Sequence, residues 1–206
     1  NGFDPDDYDE LAGVVPNSDD RLQILYTGIL YPERRDPTPL FKALQKMDDV
    51  RDRISVRFYG AKIAQLGPII EAHGLQDIVS VESRVTFKES LRLQRQADVL
   101  LLLQWNNVLE AGNVPGKVFE YFAARRPVLG IGYEHGVPAR LLRERNAGLV
   151  VNDPDRIADY LRGLLAQKKS AEGIPLLPET GIAGLSRPEQ YAGIEDAFAS
   201  IVKRSP

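Results

Sequence analysis

The chain has 206 residues, 43 % apolar and 27 % charged, with a formal net charge of −3 and an isoelectric point near 5.5. That balance fits a soluble globular protein of one large domain or two small ones, and it leaves no electrostatic footprint for nucleic acid. The lack of cysteine excludes disulfides, thiolate zinc sites and cysteine nucleophiles; only two histidines, His73 and His135, argue against a histidine-built metal centre; and the longest apolar runs, such as VLLLL at 99–103, are too short to cross a bilayer.

The opening NGFDPDDYDE starts at Asn1, is acidic, contains glycine and proline, and lacks apolar periodicity. It reads as a linker or loop, and the chain as a fragment with something upstream. No signal peptide is recognisable, and a chain without cysteine fits a reducing, cytoplasmic setting. LQILYTG at 22–28 predicts a strand ending at glycine. DPTPLFKALQKM at 36–47 predicts a helix, with Thr38 as cap, Pro39 in the first position and Leu40, Ala43, Leu44 and Met47 on one face. ISVRFYG at 54–60 is a second strand. The helix after it, 61–73, closes on the C-cap signal His73-Gly74. DIVSVE at 77–82 is a third strand.

Thr86 and Glu89 have capping-box spacing and open a helix running to Gln96. DVLLLL at 98–103 is apolar at nearly every position, as in a parallel strand covered on both faces. A helix over 115–124 and a strand over 127–131 follow. PARLLRE at 138–144 predicts a short helix, AGLVV at 147–151 a last strand, and 153–165 a helix with Ile157, Leu161 and Leu164 inward. Residues 170–185 lack a period and read as an irregular connection. Ser186 and Glu189 form a second capping box, opening a helix over 186–202 whose apolar stripe is Tyr191, Ile194, Phe198 and Ile201. Strict alternation of strand and helix predicts an α/β fold, a Rossmann-like doubly wound parallel sheet in one domain with an added C-terminal helix.

In such a sheet ligands bind beyond the carboxyl ends of the strands. The loop after the first strand, 28–36, holds Gly28, which permits close backbone approach, then Glu33, Arg34, Arg35 and Asp36. It lacks the glycine pattern of a dinucleotide site, and no P-loop occurs in the chain. Arginines near a helix start suit a diphosphate, although Arg34 and Arg35 taken alone are more simply read as solvating a loop. The loop after 98–103 carries Trp105, Glu110, Gly112, Asn113, Pro115 and Gly116, then Lys117. Exposed N–H groups at a helix start, together with lysine, favour an anion. Glu120 projects from nearly the same helix face as Lys117. The two are either a surface ion pair or ligand groups, the carboxylate accepting from two neighbouring ribose hydroxyls.

PGKVFEYFAARRPVLGIG at 115–132 resembles the donor-binding segment in the C-terminal domain of GT-B glycosyltransferases, the retaining type of bacterial polysaccharide and glycoconjugate synthesis. NGFDPDDY resembles the interdomain linker, 25–44 the first strand, glycine loop and helix, 83–103 the segment whose loop faces the nucleobase, and NAGLVV the late strand. The resemblance implies an interdomain linker over 1–18, a donor-binding domain over 19–168, and a connection with a last helix over 169–206. It makes Glu120 the ribose-binding glutamate, Arg35 and Lys117 the diphosphate cations, Gly28 and Gly116 neighbours of the phosphates, and Arg84 and Val85 the base-facing loop. Arg34, Glu110 and Asn113 are further candidates. Many relatives carry a glutamate where Gly112 stands and an arginine where Ile29 stands.

The function implied is transfer of a sugar from a nucleoside diphosphate sugar to a hydroxyl, with no cofactor and no metal. The acceptor site, and usually the catalytic side chains, belong to an N-terminal domain that this chain lacks, so this piece alone is expected to be inactive. The full enzyme would be cytoplasmic, touching a membrane only through that other domain. A nucleotide-sugar epimerase, a phosphorylase or a non-catalytic nucleotide-binding module of the same fold are the alternatives.

Overall fold

The computed structural model describes residues 1–31, 33–170 and 172–202. Six parallel strands form one sheet: β1 (Leu22–Thr27), β2 (Ile54–Tyr59), β3 (Val79–Glu82), β4 (Val99–Leu103), β5 (Val128–Ile131) and β6 (Gly148–Val150). Their order is β3-β2-β1-β4-β5-β6. The winding direction therefore reverses between β1 and β4, where Ile24 faces Val99 and Leu25 faces Leu100. The helices are α1 (Asp6–Asp9), α2 (Thr38–Gln45), α3 (Ile63–Ala72), α4 (Phe87–Gln96), α5 (Gly116–Ala124), α6 (Val137–Glu144), α7 (Pro154–Lys169) and α8 (Arg187–Val202). The doubly wound α/β fold expected from the alternation is the fold observed.

The period of two along the strands sorts the core into two layers. Leu22, Ile24 and Tyr26 of β1 and Val99, Leu101 and Leu103 of β4 pack with α2, α3 and α7 on one face. Leu25, Leu100 and Leu102 point the other way, onto Val118, Phe119, Tyr121 and Phe122 of α5 and Leu142 of α6. Coverage on both faces is why β4 is apolar throughout and wholly buried.

Element ends follow local chemistry. Thr86 caps α4 by accepting from the Glu89 N–H at 3.2 Å, while the Glu89 carboxylate turns instead to Arg92. Ser186 and Glu189 close a reciprocal capping box at the start of α8. Thr38 does not cap α2: it is already the first helical residue, and Asp36 Oδ1 accepts its N–H at 2.9 Å, so Pro39 falls one position later than expected. Helix α7 runs four residues past the expected end at 165, because Lys168 carries it on to an ion pair with buried Asp98 at 2.7 Å.

The N-terminal segment lies against the domain. Phe3 bridges to Ser186, its N–H donating to the Leu185 carbonyl at 3.2 Å while its own carbonyl accepts from the Arg187 N–H at 2.7 Å. Leu11 is buried. The connection before α8 buries Leu177 and Leu185 against the α5 and α6 layer, and Arg145 donates to the carbonyls of Gly181 and Ala183. Helix α8 instead leaves its stripe in solvent, with Tyr191, Ile194, Phe198 and Ile201 exposed by 48–65 %.

Candidate functional site

Two adjoining loops leave the carboxyl ends of β1 and β4 at the point where the winding reverses, the place where an open α/β sheet holds ligands. Gly28 ends β1 at φ 126°, a conformation that favours glycine. A Cβ there would come within 2.8 Å of Lys117 Nζ, so the missing side chain is what lets the lysine lie over the turn. Gly60 ends β2 in the same manner, close beside the Gly28 carbonyl.

Helix α5 begins beyond β4 with Pro115 as its N-cap, and no side chain caps its first N–H groups. Lys117 rises from this first turn, its Nζ 4.2 Å from the centre of the Tyr26 ring. Burial, with Arg35 nearby adding repulsion and Glu120 opposing it, pulls the Lys117 ammonium down to about 8. Arg35 donates from Nη1 to the Ile29 carbonyl at 2.8 Å and lies over the Tyr31 ring. Glu33, just before it, adopts φ 68°, a strained value for a side chain of this kind. An uncapped helix start, a half-buried ammonium and a guanidinium thus converge on one glycine turn, which makes an anion site.

Glu120 stands one turn further along α5. It forms no ion pair with Lys117 among the described residues, so the surface-pair reading of the two does not hold. Its Oε2 accepts from Gln94 Nε2 of α4 at 3.1 Å, and its backbone carbonyl accepts from the Tyr8 hydroxyl at 3.2 Å. The carboxylate opens into a cleft of about 260 Å³ walled by Thr27, Gly28, Arg84, Val85, Phe87 and Lys117. Phe87 is 52 % exposed at the mouth, where a flat ring could stack on it.

A second cavity, of about 380 Å³, is walled by Arg34, Arg35, Trp105, Glu110, Asn113 and Pro115. Here Asn113 Nδ2 donates to Glu110 Oε2 at 2.6 Å, and Arg34 lies 5.1 Å above the Trp105 ring. The ten expected residues therefore divide. Gly28, Arg84, Val85, Lys117 and Glu120 line the first cleft. Arg34, Arg35, Glu110 and Asn113 line the second. Gly116 opens the helix that rises beside both. Gly112, where many relatives carry a glutamate, is exposed, and a side chain there would start into open space.

Sequence reasoning missed Tyr26, Tyr8, Phe87 and above all Gln94. The one signal for Gln94 was a polar residue three places after Leu91 on the inward stripe of α4, where both are buried. The two histidines serve structure and surface: His73 Nδ1 is 2.8 Å from the Ile69 carbonyl, and His135 sits against Tyr133. Among the described residues no group of three or more acidic, histidine or cysteine side chains is placed to hold a metal, and no helix is long and apolar enough to cross a membrane. A larger cavity, about 580 Å³, lies at the opposite, amino edge between Asp98, Arg126 and Lys168. Its charges answer one another, as in the Lys168–Asp98 pair, and it lies away from the winding reversal.

A family model described as glycosyl transferases group 1 matches residues 21–167. No curated protein matches the sequence. Among solved structures, WaaG, a glycosyltransferase involved in lipopolysaccharide biosynthesis, is 20 % identical with a TM-score of 0.66, over 94 % of this chain and 54 % of that one. A glycosyltransferase from Rickettsia africae is 15 % identical with a TM-score of 0.71, over 99 % and 56 %. Anabaena Alr3699/HepE, solved with UDP-glucose, is 13 % identical with a TM-score of 0.69, over 97 % and 56 %. This chain thus spans little more than half of each. At such identities these likenesses establish the fold alone, shared with the matched half of each.

Proposed function

Since the chain belongs to the group 1 glycosyl transferases, we propose that it forms the donor-binding half of such an enzyme and holds a nucleoside diphosphate sugar at the β1/β4 edge. The observation that carries this reading is the convergence on Gly28: Lys117, Arg35 and the uncapped start of α5 face an anion, with a held carboxylate, Glu120, one helical turn away. That sequence of charges fits a diphosphate followed by a ribose diol. Arg84, Val85 and Phe87 fit the base, and the cavity of Arg34, Trp105, Glu110 and Asn113 fits the sugar.

The chemistry follows from charge. Breaking the bond between sugar and diphosphate builds negative charge on the departing phosphate. Groups already aimed there stabilise that charge more than they stabilise the intact donor. Lys117, Arg35 and the helix dipole supply positive charge that is in place before the reaction. The whole enzyme would add an N-terminal domain carrying the acceptor, in a cytoplasmic pathway of polysaccharide or glycoconjugate synthesis.

The test is thermal melting of the chain with UDP, GDP, ADP and TDP. At a hundred times Kd the stabilisation should reach roughly 2.7 kcal/mol, a rise of about 5–10 °C for a domain of this size. No rise with any of the four at millimolar concentration would overturn the donor-site reading.

A further inference from the structure

Gln94 is completely buried, although it lies on a helix facing a polar cleft. Its Nε2 is within 3.1 Å of Glu120 Oε2, 3.1 Å of Thr27 Oγ1 and 3.3 Å of Ser90 Oγ. Its Oε1 is also buried and has no partner among the described residues. Turning the amide over would let that oxygen accept from the Thr27 or Ser90 hydroxyl, but it would set it against Glu120, an acceptor-only carboxylate, and leave the NH2 group without a partner. The orientation is therefore fixed by Glu120, and an orphaned carbonyl is the cost of it. A fold seeking only packing would place leucine here, as it does at Leu91 one turn earlier.

We propose that Gln94 is a positioning residue that aims Glu120 at the donor's ribose, an assignment resting on the donor-site reading above. A neutral donor suits this task. It pins one carboxylate oxygen and fixes the rotamer, yet leaves the full negative charge and the other oxygen free for two vicinal hydroxyls. A lysine or arginine would spend that charge in an ion pair. The Tyr8 hydroxyl holds the backbone of the same residue, so Glu120 is fixed at both ends.

The experiment compares a nucleoside diphosphate with its 2′,3′-dideoxy analogue by calorimetric titration. The wild-type chain should prefer the natural compound by about tenfold or more, the size of a charge-assisted pair of bonds. In Gln94→Met that preference should fall below about threefold, while affinity for the dideoxy analogue stays unchanged. A Gln94→Met variant that keeps the full preference, or that loses affinity for both compounds equally, overturns the assignment.

Should Gln94→Met fail to fold, Gln94→Glu decides the matter. Two carboxyls facing one another share a single proton, so Glu120 regains its donor only as pH falls. The titratable and charged groups around the pair are Tyr8 on the N-terminal segment, Lys117 and Tyr121 on α5, and Arg84 in the loop before α4, a guanidinium that stays charged throughout. Burial pushes both tyrosines up, and Lys117 is held near 8, so none of them titrates between pH 5 and 7. The hydroxyl preference of Gln94→Glu should therefore be weak at pH 7 and return toward pH 5. The ratio between the two ligands cancels the titration of their shared phosphates. A preference that does not change with pH overturns the assignment. A wild-type chain that binds neither compound overturns the donor-site reading, and this assignment with it.

Discussion

Lys117 carries its charge where burial opposes it, between Tyr26 and the Gly28 turn with Arg35 close by. A diphosphate would relieve that opposition and raise the lysine's affinity for its proton. The sign is then fixed: the ligand prefers the protonated lysine, so the lysine's contribution to nucleoside diphosphate affinity is level below about 8 and is lost as pH rises through it. Titration at pH 7.0, 8.0 and 9.0 should show this fall, with proton uptake on binding at the higher values. Lys117→Met should bind more weakly and lose the slope; an equal slope in the variant would place the titrating group elsewhere. The two glutamates differ in the same terms. Glu120 is held by Gln94 and left facing the cleft, whereas Glu110 spends an oxygen on Asn113. Glu120→Gln should cost about tenfold or more in nucleotide affinity, and Glu110→Gln should cost less. Equal small losses would remove Glu120 from the ribose.

Among the elements, α5 does the most for the site. Its inner face is Val118, Phe119, Tyr121 and Phe122, packed onto the sheet, and Tyr121 donates to the Leu101 carbonyl at 3.1 Å. That packing fixes the helix rotation and so aims Lys117 and Glu120 toward β1. Helix α8 is the opposite case. Its reciprocal cap holds the first turn in place, but nothing in the described structure covers the stripe of Tyr191, Ile194, Phe198 and Ile201. Helix formation from local signals and helix burial are separate events, and α8 shows the first without the second. Deleting residues 191–206 should therefore shift the melting midpoint by no more than about 2–4 °C and should lower binding of an apolar dye. A loss of ten degrees would mean that the stripe packs onto this domain in solution.

At the scale of the molecule, the donor-binding reading has a consequence for activity. On that reading the nucleotide and sugar cavities would be one wall of a cleft; the chain covers 54–56 % of the solved glycosyltransferases it resembles. Holding donor and acceptor together contributes up to about 7–11 kcal/mol of such a barrier in well-oriented systems. The chain by itself should bind the donor yet transfer no sugar faster than slow donor hydrolysis. Joining it to the acceptor domain proposed above should restore transfer. Turnover to an acceptor by the purified 206-residue chain would require a complete active site within it.

The fold was legible in the sequence because its signals are local or periodic. Glycine closes β1 and β2, β4 is apolar throughout, and Thr86, Asp153 and Ser186 stand at the starts of α4, α7 and α8. The Pro-Gly-Lys start of α5 was legible too, since an uncapped helix start beside a lysine favours an anion wherever it folds. What the sequence left open were the relations between distant positions. Whether Lys117 pairs with Glu120 or lies on Tyr26 depends on β1 packing beneath α5, a contact across 91 residues, from 26 to 117. Gln94 meeting Glu120 depends on α4 and α5 lying side by side. Tyr8 reaching the backbone of Glu120, 112 residues away, depends on the N-terminal segment lying back against α5. Backbone dihedrals and caps answer to neighbours along the chain, so composition and spacing determine them. A side chain's partner answers to neighbours in space, and only the packed tertiary structure decides which those are.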